Sequence, residues 1–204
     1  MRVVSLPGMS GAGSYWRPVA DRLPAQWEHV FLDWPGLGAV PPSAQVRSLD
    51  DLVGLVLATL TVPSAVVAQS MGGVIATRAA LDAPEAISHL VLTATSGGVD
   101  VAALGAVDWR GDYRERWPSA PAWAFEPPAD LSGRLATLRL PTLLIWGTRD
   151  RISPPAIGEH LVGLLPNSRF ALVDTAEHMF APVHAEEVAL EITRHLSAPV
   201  GTTF

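Results

Sequence analysis

Short apolar runs alternate along this chain with segments whose apolar positions recur every three or four residues. The runs fall at 2–6, 30–33, 65–69, 90–93, 142–146 and 170–173, and Val, Leu, Ile, Ala and Phe fill most of them. A strand with one face in water alternates apolar with polar positions, whereas a nearly unbroken run marks a strand covered on both faces. Helical periodicity predicts helices at 15–23, 49–60, 71–81, 155–165 and 185–195. The fourth is preceded by Ser153-Pro154-Pro155, a hydroxyl followed by prolines that suit a first helical turn. Strand and helix in alternation predict βαβ units. The expected fold class is therefore α/β, with three layers (α/β/α) around a mainly parallel sheet of about six strands. No internal repeat is present.

One segment breaks the alternation. Over 96–133 the chain is rich in Pro, Gly, Ala and aromatic residues, among them Trp109, Tyr113, Trp117, Trp123 and Phe125. A loop this long inside a compact domain is usually a functional lid or an excursion with short helices of its own. Its aromatics either staple the insertion to the core or line a substrate pocket, and Trp109, Trp117, Trp123 and Phe125 are the candidates for the second role. Roughly forty residues are too few for a separate core, so a shallow cleft is expected beneath them. At 204 residues the chain is expected to form one domain over 1–204, with the short lid-like insertion at about 96–133.

Composition removes several chemistries. There is no Cys, which excludes thiol nucleophiles, disulfides and thiolate metal sites. All 14 basic residues are Arg, so neither a Schiff-base lysine nor the phosphate-gripping lysine of a P-loop is available. A net charge of −6 without a basic tract argues against nucleic-acid partners. The longest apolar stretch, 52–62, falls well short of the ~20 residues that span a bilayer. Only four residues separate Arg2 from the turn at Pro7-Gly8, where a secretory core needs ~7–15 apolar residues. The expectation is a cytoplasmic protein with no membrane partner, a monomer or small homo-oligomer.

The stretch Ala65-Val66-Val67-Ala68-Gln69-Ser70-Met71-Gly72-Gly73 carries the most chemical information. A buried strand runs straight into a helix with Ser at the corner and small residues two places to either side, the pattern of a nucleophile elbow. The requirement is steric, because on so sharp a turn any larger flanking side chain collides. Ser70 is then presented at a helix N-terminus, where backbone N–H groups favour developing negative charge. An ordinary strand-to-helix turn that happens to contain Ser is the plain alternative. Leu6-Pro7-Gly8-Met9-Ser10-Gly11-Ala12-Gly13 follows the first strand, and its glycines let backbone N–H groups face a ligand, as an oxyanion hole requires. Its spacing, G-x-x-G-x-G, is not the dinucleotide fingerprint G-x-G-x-x-G.

A hydroxyl nucleophile needs a base, and the chain has six histidines: His29, His89, His160, His178, His184 and His195. The first two lie at strand beginnings, on the opposite edge of the sheet from Ser70. His160 and His195 fall within helices and are expected at the surface. His178 lies just beyond the last strand, on the same edge as Ser70, with His184 its one rival. Asp150, just after the fifth strand, can accept the Nδ1–H of that histidine and leave Nε2 free for the Ser70 proton. A helix cap and a solvated loop would explain Asp150 and His178 separately. Together, three such groups at the carboxyl edge of one sheet stand where α/β proteins bind ligands.

With these residues in place, the chain resembles the α/β-hydrolase superfamily. The order Ser70, Asp150, His178 is that superfamily's order, and the segments around Pro7-Gly8, Asp33-Trp34-Pro35-Gly36-Leu37-Gly38, 141–150 and Glu177-His178-Met179 also match it. The resemblance implies the backbone N–H groups of Met9 and Met71 as oxyanion donors. It also implies a serine hydrolase that cleaves small carboxylic esters through an acyl-enzyme, without metal or organic cofactor. Thioesterase or acyltransferase action and a non-catalytic binding protein are the alternatives. Two departures stand out: Pro7 replaces the usual His, and the chain begins at the strand that corresponds to the relatives' third. A six-stranded, all-parallel sheet without the N-terminal antiparallel hairpin is expected.

Overall fold

In the computed structural model, which describes residues 1–198, six parallel strands form one sheet in the order β2-β1-β3-β4-β5-β6. They are β1 (Arg2–Leu6), β2 (Glu28–Phe31), β3 (Ser64–Gln69), β4 (Ile87–Thr93), β5 (Thr142–Gly147) and β6 (Ser168–Val173). Every neighbouring pair is parallel, so each connection must cross back over a face of the sheet. The helices α1 (Arg17–Ala20), α2 (Leu49–Thr59), α3 (Met71–Asp82) and α6 (Pro155–Leu164) lie in these crossings, and α7 (Ala185–Leu196) follows β6. Two more, α4 (Arg110–Arg116) and α5 (Ser132–Leu135), lie between β4 and β5. No described helix is long and apolar enough to cross a membrane.

Residue parity explains the layers. Val4, Leu6, Val66, Ala68, Leu90, Leu92, Leu144 and Trp146 point to one face and pack with α2, α3 and α6. Val3, Ala65, Val67, Val91, Leu143 and Ile145 point to the other, beneath Val19 of α1 and Val188 and Ile192 of α7. Over the four central strands both faces are dry, as their unbroken apolar runs require. α7 buries Ala185, Val188, Ala189, Ile192 and Leu196, a stripe at helical spacing, and exposes Leu190 on the far side.

The chain runs outward from β1 to β2, then jumps back across β1 to β3. This reversal puts the topological switch between β1 and β3, where α/β sheets open a crevice at the strand ends. The register of Leu6 against Ala68 sets the Gly-rich loop beside the Ser70 corner.

Three expectations need correction. The helix foreseen over 15–23 is a 3-10 turn at Gly13–Trp16 followed by a single α-turn, α1, with Pro18 in its first turn and Pro24 soon after its end. β2 stops at Phe31 rather than residue 33, because the Asp33 carboxylate turns away to accept the Gly13 N–H at 2.7 Å. His195 is fully buried rather than at the surface. Its Nε2–H donates to Pro141 O at 3.2 Å, and its ring stands edge-on to that of His89, 5.4 Å between centroids.

Candidate active site

Ser70 occupies the corner between β3 and α3 with φ 52° and ψ −121°. A residue bearing a Cβ rarely adopts this conformation, and it stores on the order of 1–3 kcal/mol. The surroundings hold it there. Its N–H donates to Thr93 O, and its carbonyl accepts from Gly73 N, both at 2.9 Å. A Cβ on Gly72 would strike the Pro7 carbonyl oxygen, and one on Gly73 would lie 2.6 Å from Thr95 Cβ. Small residues let α3 start this close to the end of β1.

β6 delivers His178 through a second strained turn. Thr175 has φ 57°, and its N–H donates to Thr148 Oγ1 and Asp174 Oδ1, both at 2.9 Å. The chain then folds back over the strand ends, where Ala181 N–H donates to the Tyr15 hydroxyl at 3.3 Å. Burial pushes the Tyr15 phenol up, so it stays protonated.

His178 Nε2 lies 3.1 Å from Ser70 Oγ, and its Nδ1 lies 2.8 Å from Asp150 Oδ2. The Asp150 side chain is fully buried, and that of His178 is mostly so. The other carboxylate oxygen, Oδ1, accepts the backbone N–H groups of Ile152 at 2.9 Å and Ser153 at 2.8 Å. These bonds fix the carboxylate plane and aim Oδ2 at the imidazole. With Nδ1–H donating to Asp150, Nε2 is left to accept the Ser70 hydroxyl proton. His184 sits six residues on, at the N-cap of α7, and takes no part in this chain of bonds. His29 and His89 lie within β2 and β4, and His160 within α6, all away from it.

The loop after β1 is held carbonyl by carbonyl. Leu6 O accepts Trp16 Nε1–H at 2.9 Å, and Pro7 O accepts Trp34 Nε1–H at 2.7 Å. Gly8 O accepts Gly11 N–H at 3.1 Å, and Met9 O accepts the Tyr113 hydroxyl at 2.8 Å. In a trans peptide C=O and N–H are antiparallel, so fixing Gly8 O also fixes the Met9 N–H that shares its plane. The loop touches the Ser70 corner, since a Cβ on Gly8 would come within 2.9 Å of Ser70 Cβ. Met71 opens α3, where the first amides have no acceptor within the helix.

A matching profile extends this likeness along the chain: that of the alpha/beta hydrolase fold covers residues 2–120 and 102–185. The chain belongs to this family. It is 26% identical to the pimeloyl-[acyl-carrier protein] methyl ester esterase of Aliivibrio salmonicida, over 95% of this chain and 91% of that protein. It is also 29% identical to the polyketide synthase ThaQ of Burkholderia thailandensis, over 91% of this chain but only 11% of that much longer protein. In structure it is similar to a thermophilic esterase from Thermogutta terrifontis, with a TM-score of 0.76 and 22% identity over 96% of this chain and 89% of that one. This last likeness speaks for the fold.

In this α/β hydrolase, a half-enclosed cavity of about 630 Å³ opens beside Ser70 and His178. That is the size of a site for a drug-sized ligand, not the shallow cleft expected from the short insertion. The insertion builds its walls from short pieces, Gly98–Ala102, 106–110 and 124–130, tied down by Leu131 N–H to Gly98 O at 2.8 Å and Val107 N–H to Arg151 O at 3.2 Å. Of the four pocket candidates only Trp109 lines this cavity. Trp123 is buried and borders a neighbouring cavity of about 270 Å³. Phe125 instead packs against Trp109 and Tyr113, under the Arg114 guanidinium at 4.0 Å, and Trp117 lies against Arg116. Aromatic identity alone does not say which ring faces a cavity and which braces the wall behind it. Sequence reasoning also missed the polar rim: Asp100, Asp108, Glu126 and Asp130 line the cavity with one Arg, Arg110, which is paired to Asp108 at 3.1 Å. No group of three or more metal-ligating side chains occurs among the described residues.

Proposed function

We propose that this protein is a serine hydrolase of small carboxylic esters, with Ser70 as nucleophile, His178 as general base and acid, and Asp150 as the group that orients His178. The observation that carries this reading is the unbroken run of short contacts Asp150–His178–Ser70 at the mouth of a cavity. Ser70 Oγ attacks the acyl carbon as its proton passes to His178 Nε2, and the carbonyl oxygen becomes an oxyanion facing the N–H groups of Met9 and Met71. The intermediate collapses to an acyl-Ser70 ester, and the alcohol leaves with the proton from His178. Water, deprotonated by the same imidazole, then releases the acid and restores Ser70. Asp150 stays ionised and holds the tautomer. Nothing in this sequence needs a metal or organic cofactor.

The same residues would serve a thioester. Relatives named for acyl-carrier-protein and polyketide chemistry favour keeping a thioesterase or acyltransferase as the second reading. A fluorophosphonate probe tests the nucleophile: it should label the wild-type protein and not Ser70→Ala, and equal labelling of both would overturn the proposal. Matched ester and thioester pairs with one acyl group then separate the two readings by kcat/KM.

A further inference from the structure

Tyr113 belongs to α4 in the insertion, 104 positions from the loop it touches. Its single hydroxyl proton is spent on Met9 O at 2.8 Å, and the same oxygen accepts the Gly38 N–H at 2.9 Å. A phenol has one donor hydrogen, so with one partner accepting and the other donating it keeps one orientation. The ring is fixed as well, edge-on to Trp109 at 5.9 Å and against Phe125 at 5.9 Å. Burial holds the phenol above its ordinary value, so the donor keeps its proton at every working pH.

The segment that Tyr113 grips cannot hold itself. Gly8, Gly11 and Gly13 make it permissive, and Pro7 offers neither an N–H nor a polar side chain. Yet an oxyanion donor acts only when placed within about half an ångström of its working position. Trp16 and Trp34 fix the strand side of the loop, and the Gly11-to-Gly8 bond ties the peptide that carries the Met9 N–H across a turn over residues 8–11. That tie lasts only while the central peptide of the turn, between Met9 and Ser10, keeps its orientation. Tyr113 holds that peptide by its carbonyl, Met9 O. Gly38 ties the same hydroxyl to the turn after β2, which packs so tightly on the loop that a Cβ there would strike Ser10 O.

We infer that Tyr113 is a positioning residue for the oxyanion hole, so that the insertion sets the geometry of the Met9 N–H as well as walling the cavity. This rests on the serine-hydrolase reading and on Met9 as a donor. Arg110, the first residue of the same helix, and its N-cap Trp109 line the cavity, so a substrate that presses on this wall presses on the element that sets the hole.

The test compares wild type, Tyr113→Phe and Ser70→Ala with a neutral p-nitrophenyl ester and a trifluoromethyl ketone. The ketone accepts Ser70 Oγ to form a hemiketal whose oxygen occupies the hole. Tyr113→Phe keeps the ring and its packing, and its melting temperature reports whether the fold is intact. The expected result is kcat lower by about 10- to 100-fold with KM within about twofold, and ketone affinity lower by a similar factor. Wild-type kcat and ketone affinity in Tyr113→Phe would overturn the inference, as would a loss confined to KM or to melting temperature. Activity that persists in Ser70→Ala would instead overturn the hydrolase reading and take this inference with it.

Discussion

Gly72 and Gly8 are the residues at which the site is least forgiving. A methyl on Gly72 would be driven into the Pro7 carbonyl, and one on Gly8 into the side-chain oxygen of Gln69. The first pushes on backbone, and the second also crowds Ser70 Cβ at 2.9 Å, so neither relaxes cheaply. Gly72→Ala should lower stability by about 1–3 kcal/mol, measured by urea unfolding, and should depress kcat further because the Ser70 turn moves with it. A Gly72→Ala protein with wild-type stability and kcat would contradict this. Within the proposed triad, Asp150→Asn should leave the fold intact and cut kcat by about 10⁴-fold, because an amide N–H cannot accept the Nδ1 proton and the wrong tautomer results. At this scale much was legible. Ser70, Asp150 and His178 declare themselves through chain position at strand ends, and the structure brings them within hydrogen-bonding distance. Tyr113 does not declare itself, because its partners Met9 and Gly38 are remote in sequence and are backbone atoms that carry no residue signature.

Among the elements, strands were easier to read than what joins them. Apolar runs located all six strands: burial on two faces marks nearly every residue of the four central ones, while the edge strands β2 and β6 carry apolar runs but are only partly buried. The 15–23 helix broke up because its apolar spacing came from Trp16, Val19 and Leu23 anchoring a turn-rich link, and Pro18 and Pro24 bound the one true helical turn. Insertion length misled in a similar way. It correctly limited the insertion to short helices, but three short pieces can still wall a cavity of about 630 Å³. The consequence is measurable. Each acyl methylene that finds apolar wall should add about 0.8 kcal/mol to transition-state binding, so kcat/KM for p-nitrophenyl esters should climb into medium chain lengths before levelling. A decline beyond acetate would restore the shallow cleft. Four carboxylates line the cavity against one paired Arg. An ester whose acyl chain ends in a carboxylate should therefore react more slowly than its neutral isostere, and added salt should narrow the gap. Equal rates at low salt would show that the rim does not reach the substrate.

For the molecule as a whole, the buried histidines at the far end of the sheet matter more to stability than to chemistry. His195 is lowered to about 4, first by burial, then by the neighbouring His89 and by Arg169. His89 is lowered by burial too. The unfolded chain binds these protons near pH 6.5, while the folded one resists them. Stability is therefore fully present above that pH and declines as the pH falls toward 4. At pH 5 the loss relative to pH 7 should be about 2 kcal/mol for His195 alone, read as a shift in the urea midpoint that His195→Leu reduces. An unchanged midpoint between pH 7 and 5 would contradict the buried neutral pair. The proposed catalysis at the other end, by contrast, stands or falls on one covalent bond. Rapid acid quench of the protein with excess p-nitrophenyl ester, followed by peptide mass analysis, asks for it directly. The account predicts the mass of one acyl group on the peptide containing Ser70, absent from Ser70→Ala and accompanied by a burst of p-nitrophenol. Steady hydrolysis with no acyl group on that peptide, or with the group on another residue, would contradict it.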